Sequence, residues 1–232
     1  MIQLEELIIT HSSVVDLKPL SGLTQLKMLD VSRNQIKDLT PLRSLIGLEF
    51  LSAGRNQIVS MDGIQFMTQL KGLDLGGNQL TSVDGLPDSD QLERLYLSSN
   101  KLTSLKGLPD YPNAYVSAAG NEIKSLEGLQ NRSFIVLDLR YNQISDLNGL
   151  QNVKVEDLYL DHNNIKDLTP LSEGTSIKAA LSLGHNHIED LSPLSGMSEL
   201  KYLYINNNEV VSIQPLEGLP KLTPRNYCQQ AD

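Results

Sequence analysis

Four side chains in the second half of the chain could ligate a metal or move a proton. His162 and His185 stand in matching settings, LDHNN and LGHNH, with Asp157 and Asp161 close by. Imidazole and carboxylate together are the raw material of a zinc site or of an acid/base pair. Adjacent-strand histidines would be close enough to chelate, but the spacing fixes no third ligand, and a solvated polar rim is the competing reading. Other catalytic signatures are missing: there is no Ser-His-Asp order, GxSxG, phosphate-binding glycine loop or HExxH. Cys228 sits in a polar tail without a nearby base, which reads as an incidental thiol. Asn131-Arg132-Ser133 is a glycosylation sequon that carries weight only in a secreted chain. The expectation is a protein without catalysis, cofactor or metal.

Tyrosine offers a different chemistry, and its placement depends on a period. Asparagine recurs at 34, 56, 78, 100, 121, 142, 163, 186 and 208, each time inside LxxLxLxxNxL, as in LKMLDVSRNQI, LKGLDLGGNQL and LKYLYINNNEV. One period before Asn34 the same apolar frame holds Ser12, giving about ten repeats. Asn113 and Lys178 occupy the first apolar slot of their repeats, and the longest interval predicts one extra residue in a loop near Glu173–Ile177. A polar amide between buried positions is costly unless its donors and acceptors are all matched. A chain turning sharply away from a strand leaves backbone N–H and C=O groups to pair, and an amide supplies both kinds of partner. Asp30, Asp74 and Asp138 lie two or more repeats apart, too far to work as a carboxylate pair.

Nine asparagines in phase within that frame resemble the leucine-rich repeat family over essentially the whole chain. The resemblance implies an α/β solenoid: a right-handed superhelix whose LxL segments form a parallel sheet on the concave face. It also implies that the asparagines stack into a ladder, with Ser12 a weaker substitute. On the convex side IKDLTPL and IEDLSPL alternate in role with VDGL, LKGL, LEGL and LNGL. Proline presets φ for a short helical turn and glycine permits a tighter bend, so short 3-10 or irregular turns are predicted there. The DLxPL form looks like internalin repeats and the glycine form like those of the SDS22 phosphatase regulators. The expected domain is single, 1–232, with a degenerate last turn over 216–232. In that turn Arg225 and Tyr227 fall in strand slots and Gln230 in the asparagine slot. The first frame begins at Leu4 without the helical cap of internalins. That favours a fragment, or minimal cover by Glu5 and Glu6, over end-to-end association.

Alternation along each strand sends the third, fifth and seventh slots outward, with the eighth on the rim beside them. Tyr96, Tyr115, Tyr141, Tyr159, Tyr202 and Tyr204 all fall on that face; Tyr111 and Tyr227 do not. Strand propensity explains tyrosine in strands but not its confinement to outward slots. The leading reading is therefore a non-catalytic scaffold that binds a protein. Its anchors are Tyr96, Tyr115, Tyr159, Tyr202 and Tyr204, supported by Phe50 and Arg94; Asp138, Arg140 and Asp157 supply orientation and charge selectivity. The alternatives are a phosphatase-regulating subunit and a metal or hydrolytic site at His162/His185. A net charge of −9 without a Lys/Arg run argues against nucleic acid or an anionic membrane and suits a partner with a basic patch. No stretch reaches the ~20 apolar residues of a membrane span. A start without a signal-peptide pattern, together with a lone cysteine, leads to a cytoplasmic expectation, with a secreted or cell-surface fragment as the alternative.

Overall fold

In each repeat the apolar slots must find a common interior, and a coil closing on itself every 21 to 23 residues supplies one. In the second repeat Leu26, Leu29, Val31, Ile36, Leu39, Leu42 and Leu45 are all sealed from solvent, and the inner repeats follow suit. The computed structural model describes residues 4–222, so Arg225, Tyr227, Cys228 and Gln230 lie outside the described residues.

Ten strands run parallel in chain order. They are β1 (Glu6–Ile8), β2 (Met28–Asp30), β3 (Phe50–Ser52), β4 (Gly72–Asp74), β5 (Arg94–Tyr96), β6 (Ala114–Ser117), β7 (Ser133–Asp138), β8 (Lys154–Tyr159), β9 (Ser176–Ser182) and β10 (Tyr202–Tyr204). The described residues form two compact units, one of 4–102 with 107–116 and one of 103–106 with 117–222. In the first, the outward rows run Met28, Phe50, Gly72, Arg94 and Asp30, Ser52, Asp74, Tyr96. In the second they run Val136, Asp157, Ala180, Tyr202 and Asp138, Tyr159, Ser182, Tyr204.

The extra residue is not in a loop. Val155 pairs with Ile177, but Asp157 pairs with Ala180, so the surplus is absorbed as a β-bulge inside β9 at Lys178–Ala179. The bulge also resolves the misfit in that repeat: Ile177 is buried where Lys178 would otherwise have entered the core. Likewise Ala114 is buried beside Asn113, which stands at φ 60°. Tyr111, the tyrosine that does not fit the face, is fully buried and donates its hydroxyl hydrogen to the Pro87 carbonyl at 2.6 Å.

The turns opposite the sheet divide as their residues dictate. Lys18–Leu20, Thr40–Leu42, Thr169–Ser172, Ser192–Leu194 and Gln214–Leu216 are 3-10 turns, each with proline in its first positions. The aspartate of DLxPL closes them: the Thr40, Thr169 and Ser192 N–H groups donate to Asp38, Asp167 and Asp190 at 2.8 Å. In the alternate class Gly63, Gly85, Gly107, Gly128 and Gly149 take positive φ, and no 3-10 turn forms.

The asparagines do form a ladder. Asn78 donates to the carbonyls of Ala53 (3.1 Å) and Leu75 (2.9 Å) and accepts the Ile58 N–H (3.0 Å). Asn163 repeats the pattern with Leu139, Leu160 and Ile144, each at 3.0 Å. Each amide thus bonds its own coil and the one before it. Ser12 is the weaker stand-in expected: it reaches the Thr10 carbonyl of its own segment at 3.1 Å.

Candidate functional site

With the inward slots filled by small aliphatics, polar and aromatic variety is left to the outward slots. In the first unit this yields an apolar hollow of about 240 Å³ on the sheet face, lined by Met28, Phe50, Gly72, Arg94 and Tyr96. Gly72 makes the hollow: a side chain there would press on the Phe50 ring at 3.0 Å. Phe50 is 41% exposed, and the Tyr96 and Tyr115 rings lie 5.4 Å apart, tilted by 47°. Asp74 edges the same hollow. Burial, with Asp30 adding, pushes its carboxyl above the usual range, opposed by the Gly76 N–H and Arg55. Arg33 and Arg55 line a separate groove of about 580 Å³ at the rim of this unit.

In the second unit the repeat containing β9 carries three small outward residues in succession, Ala180, Ser182 and Gly184. Its neighbours carry larger ones: Asp157, Tyr159 and Asp161 on one side, Tyr202, Tyr204 and Asn206 on the other. The result, over Ala180 and Ser182, is a trough of about 430 Å³ walled by Asp157, Tyr159, Asp161, Tyr202 and Tyr204. Asp161 is 8% exposed and accepts the Ser182 hydroxyl at 2.6 Å and the Gly184 N–H at 3.1 Å. Asp157 accepts the Ala180 N–H at 3.1 Å.

Arg140 stands at the edge of this trough with its guanidinium 5.2 Å from the Tyr159 ring centroid. It donates to both carboxylate oxygens of Asp138 at 2.9 Å. Asp138 is therefore not the exposed contact that its outward slot implied. It is 3% exposed, covered by Arg140 and bonded by the Ser117 hydroxyl at 3.3 Å, so it positions Arg140.

The histidines meet, and they do so as stacked rings. The eighth slot of each repeat takes the left-handed conformation, with φ between 50° and 57° at His11, Arg33, Arg55, Ser99, Tyr141, His162, His185 and Asn207. A shared backbone angle aims neighbouring side chains alike, and the rings of Tyr141, His162 and His185 stack at 4.2 and 4.0 Å, 12° from parallel. His185 Nε2 lies 2.8 Å from the Asn207 side-chain amide. Among the described residues no group of three or more His, Cys, Asp or Glu is placed to hold a metal.

Burial, then the neighbouring His185, holds His162 below the ordinary imidazole value; Asp161 opposes them. A lowered folded pKa means the unfolded chain takes this proton first as pH falls. The stabilising contribution is therefore complete above the ordinary value near 6.5 and is lost as pH drops through the folded value. The His162 ring resonance should titrate below that of an exposed histidine and move back toward it in His185→Ala. An NMR titration in which His162 is unaffected by His185→Ala would mean that the stack does not form.

The structure thus gathers the expected residues into two patches, one per unit: Phe50, Arg94, Tyr96 and Tyr115 in the first, and Arg140, Asp157, Tyr159, Tyr202 and Tyr204 in the second. Sequence reasoning placed Asp161 and Asn206 in outward slots but did not see that Asp161 walls a trough. The signal for the trough was available as the run of small residues in ALSLGHN beside DLYLDHN and YLYINNN.

No helix among the described residues is long and apolar enough to cross a membrane. Leucine-rich repeat family profiles match residues 2–44 and 180–218 (two-copy repeats), 91–111 and 130–147. A search of curated proteins gives no match. Among solved structures the chain is similar to an internalin, InlF, of Listeria monocytogenes, with 27% identity over 94% of this chain and 65% of that one and a TM-score of 0.73. The functional domain of InlJ from Listeria monocytogenes, described as including a cysteine ladder, matches at 24% identity over 95% of this chain and 48% of that one, with a TM-score of 0.72. This sequence has one cysteine and so has no such ladder. The leucine-rich repeat domain of APL1 shares the fold at 19% identity over 90% of this chain and 63% of that one, TM-score 0.69. The chain therefore spans about two thirds of the InlF chain and half of the InlJ chain. Leucine-rich repeat proteins are in general interaction scaffolds without catalysis. The period, the asparagine ladder and these matches together make the chain a leucine-rich repeat protein of the internalin-like type.

Proposed function

We infer that this protein is a non-catalytic scaffold that binds a protein partner through the outward face of its sheet. The observation that carries the reading is the sorting of side chains. Inward slots hold aliphatic residues, while Phe50, Tyr96, Tyr115, Tyr159, Tyr202 and Tyr204 sit in outward slots, partly or largely open to solvent. Aromatic rings with polar tips, half embedded in a rigid sheet, lose little side-chain freedom on contact and are frequent anchors of protein interfaces. Arg94 and the positioned Arg140 add a second anchor type at each patch. Regulation of a phosphatase would use the same face and differ in the partner alone.

The test compares wild type with a Tyr96→Ala, Tyr159→Ala, Tyr204→Ala variant in capturing and then titrating the partner. Each true anchor is expected to contribute ~2 kcal/mol or more, so the triple variant should bind at least about a thousandfold more weakly. Equal affinity of both proteins would remove the face from consideration. Changing Val59 and Val211, exposed residues outside the strands, should leave binding intact.

A further inference from the structure

We propose that the trough over Ala180 and Ser182 is a socket for an arginine or lysine side chain of the protein partner. This rests on the partner-binding reading above and assigns that partner's chemistry at one place.

Four observations carry it. The first is shape. The floor is one strand wide and made of small residues, so its two walls stand two strand spacings apart, ~9.5 Å between backbones. That gap admits a flat guanidinium or an ammonium on its stem. The second is charge. Neither Asp157 nor Asp161 has an ion-pair partner among the described residues. The one cation at the edge, Arg140, is already held in a two-point contact by Asp138.

The third is a shortage of donors. Asn206 Oδ1 is buried and has no hydrogen-bond partner. It and Asp161 Oδ1 close on Gly184 from opposite sides, 2.8 and 2.9 Å from where a Cβ would stand. The Asp161 carboxylate brings negative charge to this place as well as acceptor capacity, and arginine and lysine donate without accepting. The fourth is the aromatic wall. Tyr202 is 44% exposed, and Tyr202 and Tyr204 flank the floor. Tyrosine faces attract a cation and cover its aliphatic stem.

The full chain, labelled with nitrogen-15, is titrated with three capped tripeptides, Gly-X-Gly, where X is arginine, lysine or citrulline, and separately with calcium chloride. The expected result is saturable shifts of the Ala180, Ser182 and Gly184 amides with arginine and lysine at peptide concentrations on the order of millimolar. Citrulline, which keeps the shape and loses the charge, should give none. Asp161→Asn should weaken arginine binding about tenfold or more, and Asp157→Asn should weaken it less. Both variants keep an acceptor oxygen for the Ser182 and Ala180 groups, and their thermal unfolding is measured alongside.

Absence of saturable shifts, equal shifts with citrulline, or shifts with calcium alone would overturn the socket. The two readings fail separately. Loss of partner binding in the triple tyrosine variant, with none in folded Asp161→Asn, keeps the face and removes the socket. Arginine peptide in the trough with undiminished partner binding by the tyrosine variant does the reverse.

Discussion

Replacing Asn142 with alanine is expected to remove about 3 kcal/mol of folding stability: a buried N–H loses its acceptor, at about 1–3 kcal/mol, and two buried carbonyls each lose one of two asparagine donors, at about 0.5–1.5 kcal/mol each. The groups are specific. Asn142 accepts the Ile123 N–H at 3.0 Å and donates to the carbonyls of Ala118 and Leu139, both at 3.0 Å. Ile123, Ala118 and Leu139 are sealed from water, so solvent cannot replace the lost partners. Domains are typically stable by only about 5–15 kcal/mol, so the loss would be a large share of the total. Urea unfolding should show a sharply lowered midpoint. A reduced denaturant slope would mean that the coils around the lesion open separately from the rest, as a repeat stack permits. Asn142→Asp is the informative companion. Its carboxylate can still accept the Ile123 N–H but faces two carbonyls it cannot bond. The variant should be at least as unstable as alanine at neutral pH and recover as acid protonates the new group. A midpoint for Asn142→Ala within error of wild type would mean that the ladder is ornamental.

The second large effect is expected at Gly149. Its φ is +111°, and a Cβ there would overlap the Leu126 carbonyl and crowd the Glu127 nitrogen, both backbone atoms of the preceding coil. Strain at such an angle costs about 1–3 kcal/mol by itself, and the collision adds to it because backbone cannot rotate away as a side chain can. Gly149→Ala should therefore lose about 3 kcal/mol or more. Gly218 separates the two contributions. It has a similar angle, +93°, with nothing within 4 Å of an added Cβ, so Gly218→Ala should show the conformational cost alone. Thermal or chemical unfolding of both variants gives the difference directly. Equal losses would mean that the approach of the Gly149 turn to the previous coil is looser than the structure has it.

The ladder, the parallel strands and the division of turns by proline or glycine were all legible in the sequence. Each is a local rule repeated nearly ten times, so one misread repeat is corrected by its neighbours. What escaped was what one repeat does differently. A surplus residue announces itself by count but not by place; burying Ile177 decided that it goes into β9 at Lys178–Ala179. Asp138 was read as exposed because its slot points outward, yet the side chain two residues on folds back over it. The outward aromatic slots were read correctly, but the trough between them depends on three consecutive coils at once, through Asp161, Ser182 and Tyr204. The histidine pair was placed in one slot without the left-handed backbone that lays its rings flat on each other.

The bonds of the ladder all run one way. Asn34, Asn56, Asn78 and Asn100 in the first unit, and Asn142, Asn163, Asn186 and Asn208 in the second, each accept an N–H from the coil before. None of these bonds reaches forward. Every bend is thus locked by its successor, like a knitted row held by the loop pulled through it. Stripping a coil from the later side frees the N–H two residues after the survivor's asparagine, whereas stripping one from the earlier side frees the N–H directly after it, as the Gln57 N–H donates to the Ile36 carbonyl. Hydrogen exchange can therefore tell the direction of fraying: early exchange of the first amide after an asparagine marks loss of the coil before, and early exchange of the second marks loss of the coil after.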